Sequence, residues 1–113
     1  MLGGMLDIHC SRCGAIAASF SAADGCLERS GWFGSGQWPM PRDRAEVWLR
    51  RIEAGPLVDL ARGDPDMFGF VCRRCGVAYC GACWRIGPPE LDDGFYDCTR
   101  GTCPELHEQT LDD

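Results

Sequence analysis

The stretch Cys72-Arg73-Arg74-Cys75-Gly76-Val77-Ala78-Tyr79-Cys80-Gly81-Ala82-Cys83-Trp84 sets four cysteines, as two Cys-x-x-Cys pairs with four residues between them, into thirteen positions. The turn of a Cys-x-x-Cys knuckle brings both sulfurs to one side, so each knuckle supplies half of the four ligands that a structural zinc ion takes. A third knuckle, Cys10/Cys13, stands near the start of the chain, and Cys103 and His107 lie four residues apart near its end. The alternative use of so many thiols is disulfide bonding. A total of nine cysteines is odd and suits complete pairing badly, and the opening MLGGMLDIHC has neither a basic n-region nor an apolar run fit for a signal peptide. The expected location is therefore cytoplasmic, where paired Cys-x-x-Cys motifs point to metal.

Three knuckles give six ligands, too many for one zinc and too few for two. A two-zinc reading takes its fourth pair from Cys98, Cys103 and His107. Cys103 with His107 is preferred, and Cys98 is the substitute. Only Gly76 to Tyr79 separate the two middle knuckles, which can share one ion or face opposite ways and serve two. In the second case Cys10/Cys13 joins Cys80/Cys83, and Cys72/Cys75 joins Cys103/His107. In the first, the middle knuckles hold one ion and the terminal pairs the other, and spacing alone leaves both open.

At 113 residues the chain makes one domain with a small core, and 15 glycines with 7 prolines leave little room for long elements. Such a chain needs staples. The expected fold is a small zinc-stabilised α+β domain spanning 1–113, with short β-hairpins, one amphipathic helix and a short C-terminal helix. Residues 6–20 read as two strands around the first knuckle, closed by Gly14. Ser21–Asp66 reads as an ordered insertion. Its first part, to Pro41, is a glycine-rich loop carrying Trp32, Phe33 and Trp38, which either covers the zinc core or faces a partner. A helix near 42–54 follows, with Ala45, Trp48, Leu49 and Ile52 at helical spacing, then a short helical turn in LVDLARGDPD. MFGFVC and VAYC read as strands flanking the second knuckle. Pro104 is a suitable first residue for a terminal helix presenting Cys103 and His107 to one metal, and the closing Leu111-Asp112-Asp113 reads as an exposed acidic end.

The pattern C-x-x-C-G-x-x-aromatic-C-x-x-C in Cys72 to Cys83 resembles the centre of FYVE-type and related RING and treble-clef zinc domains, where it sits between an earlier and a later ligand pair. The resemblance implies a treble-clef or cross-brace-like arrangement with interleaved ligands. Phe68-Gly69-Phe70-Val71 stands where FYVE domains carry their basic approach to phosphoinositide, so it implies fold rather than lipid chemistry.

All 11 basic residues are arginines, so no lysine is present for Schiff-base chemistry, and the net charge of −6 repels a phosphate backbone. Loading both sites deepens that charge to −9, because a four-cysteinate zinc carries −2 and a three-cysteinate, one-histidine zinc carries −1. Nucleic acid and membrane are thus poor partners. Catalytic zinc keeps an open position, which a full thiolate-rich set denies. The zinc deaminases need H-x-E ahead of P-C-x-x-C, and Val71 and Tyr79 stand in the place of that proline. The expected role is a non-enzymatic structural-zinc module or adaptor that binds another protein. The alternatives are a RING-like accessory of ubiquitin-type conjugation and a zinc-thiolate redox sensor tuned by Arg73 and Arg74. Cys26 reads as a small buried hydrophobe, His9 as a surface residue or a neighbour of the site, and Arg50, Arg51, Arg73, Arg74 and Arg85 as a solvated face.

Overall fold

Small apolar and polar residues alternate through Ala18-Ser19-Phe20-Ser21-Ala22, so one side of this strand faces the core and the other faces outward. The computed structural model describes residues 5–32 and 34–112, and Phe33 of the aromatic stretch and the terminal Asp113 lie outside them. The strand is the second of four: β1 (Met5–His9), β2 (Ile16–Ala23), β3 (Cys26–Gly31) and β4 (Gly36–Pro39) form an antiparallel sheet in sequence order. The stretch from Ser21 to Pro41 is therefore largely strand rather than the expected loop. Asp24-Gly25, with Gly25 at φ 88°, is a two-residue turn between the paired Ala23 and Cys26. At Gly36 a Cβ would lie 2.7 Å from the Trp38 ring, so glycine is what lets that indole fold over the strand.

Helix α1 (Arg42–Ala54) lays Ala45, Leu49 and Ile52 against this sheet and ends at Gly55, whose N–H donates to the Arg51 carbonyl at 3.0 Å with φ 68°. Helix α2 (Leu57–Gly63) adds the buried Ala61. The next turn delivers Phe68 and Phe70 to Phe20, with ring centroids 5.6 and 6.1 Å away, and these three fully buried aromatics form the centre of the core. Arg29, also buried, reaches across from β3 to donate to the carbonyls of Asp66 (2.7 Å) and Met67 (3.0 Å), while its guanidinium covers the Trp38 ring.

Among the described residues the elements after α2 are all strands. Strands β5 (Val71–Cys72) and β6 (Val77–Ala78) form a short hairpin. In the last sheet, β9 (Phe95–Thr102) is flanked on one side by β10 (Glu108–Asp112) and on the other by β7 (Arg85–Ile86) and β8 (Glu90–Asp92). The expected C-terminal helix is thus a strand. After Pro104 the chain makes a tight turn with Leu106 at φ 68°, the Cys103 N–H donating to the His107 carbonyl and the Leu106 N–H to the Cys103 carbonyl, both at 2.9 Å. From there Gln109 and Leu111 point inward at a period of two. Leu111 is buried, not part of an exposed end. It fills the space above Gly69 and Gly101, where any Cβ would strike it.

A candidate metal centre

Eight side chains converge in two groups: Cys10, Cys13, Cys80 and Cys83 in one, Cys72, Cys75, Cys103 and His107 in the other, with the ligand atoms of each group within 4.8 Å of one another. The pairs alternate along the chain. Of the two arrangements open on spacing, the middle knuckles serve different groups.

Each position follows from local structure. Cys10 follows β1 directly, and the knuckle turns because Gly14, at φ 83°, donates its N–H to the Cys10 carbonyl at 3.0 Å. Gly76, at φ 81°, repeats this with the Cys72 carbonyl at 2.8 Å. The third knuckle closes differently, through N–H bonds from Cys83 (3.0 Å) and Trp84 (3.1 Å) to the Cys80 carbonyl. The Trp84 indole N–H is tied to the Phe70 carbonyl at 3.2 Å, and Tyr79 meets its ring edge-on. Cys103 and His107 flank the β9–β10 turn, so their four-residue spacing belongs to a hairpin loop rather than to a helix face.

The edges of both groups match tetrahedral coordination. With metal–sulfur bonds of about 2.3 Å and metal–nitrogen bonds of about 2.0 Å, the S···S edge is about 3.8 Å and the S···N edge about 3.5 Å. In the first group, Cys10–Cys83 is 3.6 Å, Cys13–Cys80 is 3.4 Å and Cys80–Cys83 is 3.8 Å. In the second, Cys75–Cys103 is 3.7 Å, and His107 Nδ1 lies 3.7, 3.3 and 3.5 Å from the sulfurs of Cys72, Cys75 and Cys103. Backbone N–H groups of Arg12, Cys75 and His107 point at the sulfurs of Cys10, Cys72 and Cys103 at 3.4 Å, placing positive ends of dipoles against developing thiolate charge.

The electrostatics are uneven across the thiols. Burial opposes ionisation of Cys10, yet N–H donors of Cys13, Cys80 and Arg12 outweigh it and bring the thiol down to about 6. Burial works to raise Cys103 too, but the backbone donors of His107 and Glu105 and the neighbouring thiols outweigh it and leave the thiol lowered. Burial first, then the neighbouring sulfurs, pushes Cys75 up to about 11 and Cys83 up to about 12. The Tyr79 hydroxyl, bonded to Cys75 and buried, is also raised. Thiolates this close, four in the first group and three beside an imidazole in the second, repel one another, and a divalent cation among them would supply the opposing charge.

Two bridges bind the groups to the body. The Ser11 N–H donates to the Ala78 carbonyl at 2.9 Å, fastening the first knuckle to β6. Gln109, buried on β10, donates to the carbonyls of Gly69 (3.2 Å) and Val71 (2.7 Å) and accepts the Arg73 N–H at 3.0 Å, gripping the backbone on both sides of Cys72. Sequence reasoning missed Gln109; the signal available was its alternation with Leu111. Trp32 packs against both core clusters and lies so close over Gly81 that a Cβ there would be 2.9 Å from it, so this aromatic covers the third knuckle.

The other candidates fall outside the groups. Cys98, the proposed substitute ligand, is half-buried on β9 and belongs to neither. Cys26, half-buried at the start of β3 rather than deep in the core, directs its thiol to Glu28 at 3.6 Å. His9 is exposed and bonds through Nδ1 to the Gly14 carbonyl at 3.0 Å, next to the first group without joining it.

The fold and the clusters together define a small α+β protein, with antiparallel sheets and two helices, whose Cys/His groups fit two metal sites. The chain belongs to the family described as a domain of unknown function, DUF8328, which matches residues 2–113. No curated protein and no solved structure matches it. Among the described residues no helix is long and apolar enough to cross a membrane.

Proposed function

We propose that both clusters hold structural Zn²⁺ and that the chain is a non-enzymatic cytoplasmic adaptor, of treble-clef or cross-brace kind, that binds another protein. The observation that carries the reading is the alternation of ligand pairs at tetrahedral spacing. It closes contacts across 67 residues between Cys13 and Cys80 and across 28 between Cys75 and Cys103, where chain-closure entropy is otherwise unpaid by a small core. Structural zinc contributes on the order of 10 kcal/mol in finger peptides, as much as the whole stability of a typical domain. Each set offers four ligands, which would leave a bound ion no position for substrate or water. The test is elemental analysis of purified protein combined with circular dichroism during chelation. The expected result is two zinc ions per chain and loss of the folded spectrum as they leave; an unchanged spectrum after complete removal overturns the reading.

A second reading, a zinc-thiolate redox sensor, is favoured by one observation: Cys13 is exposed although it sits among ligands. Stoichiometric zinc release by mild peroxide supports it, and retention of zinc until the protein unfolds excludes it.

A further inference from the structure

The β8–β9 hairpin carries large side chains that lie outside both core clusters. Beyond Gly87, whose N–H donates to the Arg100 carbonyl at 2.9 Å, the chain passes Pro88-Pro89 into β8, turns at Asp93-Gly94 and returns along β9. Leu91 is paired with Tyr96 and Asp92 with Phe95. Directly opposed residues share a face, so Leu91 and Tyr96 lie on one side of the ribbon and Phe95 on the other. Both sides are wet: Leu91 is 65% exposed, Tyr96 47% and Phe95 77%. None of the three belongs to either core cluster. A two-stranded ribbon gains no folding stability from side chains held in water, and clustered exposed apolar residues mark a surface that another molecule covers.

The charge on the ribbon selects what covers it. Residues 91–97 contain three carboxylates, Asp92, Asp93 and Asp97, and no basic residue. The cation nearest in the ribbon, Arg100 at its root, is engaged by Glu108 at 2.9 Å and Glu90 at 4.0 Å. An anionic bilayer or a nucleic acid is repelled by this tip and by the net charge of −6. Among the described strands, β8 has β9 as its partner and an outer edge that a further strand can join. We propose that this acidic, aromatic arm is the docking element of the adaptor, and that its occupant is a basic amphipathic segment of a partner protein, with arginine or lysine facing the carboxylates and apolar residues meeting Leu91, Phe95 and Tyr96. The proposal rests on the adaptor reading and deepens it.

The test uses the full chain as purified, labelled with ¹⁵N, and a synthetic peptide alternating arginine and valine, with a glutamate-valine peptide, phosphatidylcholine vesicles and a dilution series of the chain alone as comparisons. The expected result is chemical-shift change centred on residues 90–98 with the basic peptide, weakened by salt. Affinity falls at least about tenfold in Phe95→Ser and in the combined Asp92→Asn, Asp93→Asn, Asp97→Asn variant. Absence of localised shifts, equal response to the acidic peptide, or an arm response to vesicles or to self-association each overturns the proposal. Zinc is counted in the same samples: two ions with a silent arm removes the docking site and leaves structural zinc standing, whereas an arm response with no bound zinc supports docking and removes the zinc reading.

Discussion

Gln109 is the side chain on which assembly of the second metal group most depends without being a ligand. It stands two residues after His107, and its amide grips Val71 and Arg73 on either side of Cys72, so one side chain holds the two halves of the ligand set together. Replacing it with leucine keeps most of the volume and removes all three bonds, leaving two carbonyls and one N–H without that partner in a place where Gln109 itself is only 7% exposed. At about 1 kcal/mol for each bond the loss is about 3 kcal/mol. Because metal binding and folding share one free energy, this appears as roughly a hundredfold weaker zinc affinity at the Cys72/Cys75/Cys103/His107 group, with a smaller change at the other. Competition against a chromophoric chelator, with zinc occupancy followed by native mass spectrometry, measures it. A Gln109→Leu protein that competes as well as the parent shows that packing of β10, not the amide bridge, aligns the ligands, and the reasoning fails.

Three further outcomes are expected. Gly69→Ala drives a methyl into the Leu111 backbone carbonyl, so it lowers thermal stability whether or not Leu111 is shortened, whereas Gly101→Ala meets the Leu111 side chain and is partly rescued by Leu111→Ala in a double-mutant cycle; equal rescue of both variants refutes this contrast. The group containing the exposed Cys13 yields its metal to a chelator before the group containing Cys103, as cysteine-alkylation mapping of the half-loaded protein will show; release in the opposite order contradicts the exposure argument. Burial, the charge of Glu28 and its bond to the thiol raise the Cys26 pKa, which means less thiolate at mildly alkaline pH than for an ordinary cysteine. Glu28→Gln therefore speeds alkylation of Cys26, and the whole rate profile moves to lower pH; an unchanged rate excludes the carboxylate as a cause.

Three of the four candidate ligand pairs were legible because a Cys-x-x-Cys knuckle is a local device, and at Cys10/Cys13 and Cys72/Cys75 the glycine that takes the left-handed turn declares itself within the same five residues. The β2–β3 hairpin was legible in principle, through Asp24-Gly25 and the alternation around Phe20, but a surplus of glycine, serine and alanine on both sides made it look like loop. The strand β10 was not legible locally. Proline after Cys103 and a four-residue interval to His107 suit a helix start as well as a tight turn, and what decides between them is distant: the open edge of β9, and the missing side chains at Gly69 and Gly101 that make room for Leu111.

The alternation of ligand pairs has a physical origin that the spacing alone did not reveal. Val71 pairs with Ala78 and Cys72 with Val77, so the Cys72/Cys75 knuckle is the loop of a hairpin, and the segment between the middle knuckles is its return strand. A hairpin has two ends. Cys72 and Cys75 sit at its tip, while Cys80 and Cys83 follow its base, and the four residues Gly76 to Tyr79 are spent on the return strand instead of folding one knuckle back onto the other. Each knuckle must then complete its set from elsewhere in the chain. The first knuckle is fastened at the base by the Ser11 bond to Ala78, and the last pair is fastened near the tip by Gln109. A pairing of two residues on each strand thus sends the two ends of the chain to opposite ends of one small hairpin, and proline at Val77, which fixes φ and removes a ladder donor, is the substitution that disturbs both metal groups at once.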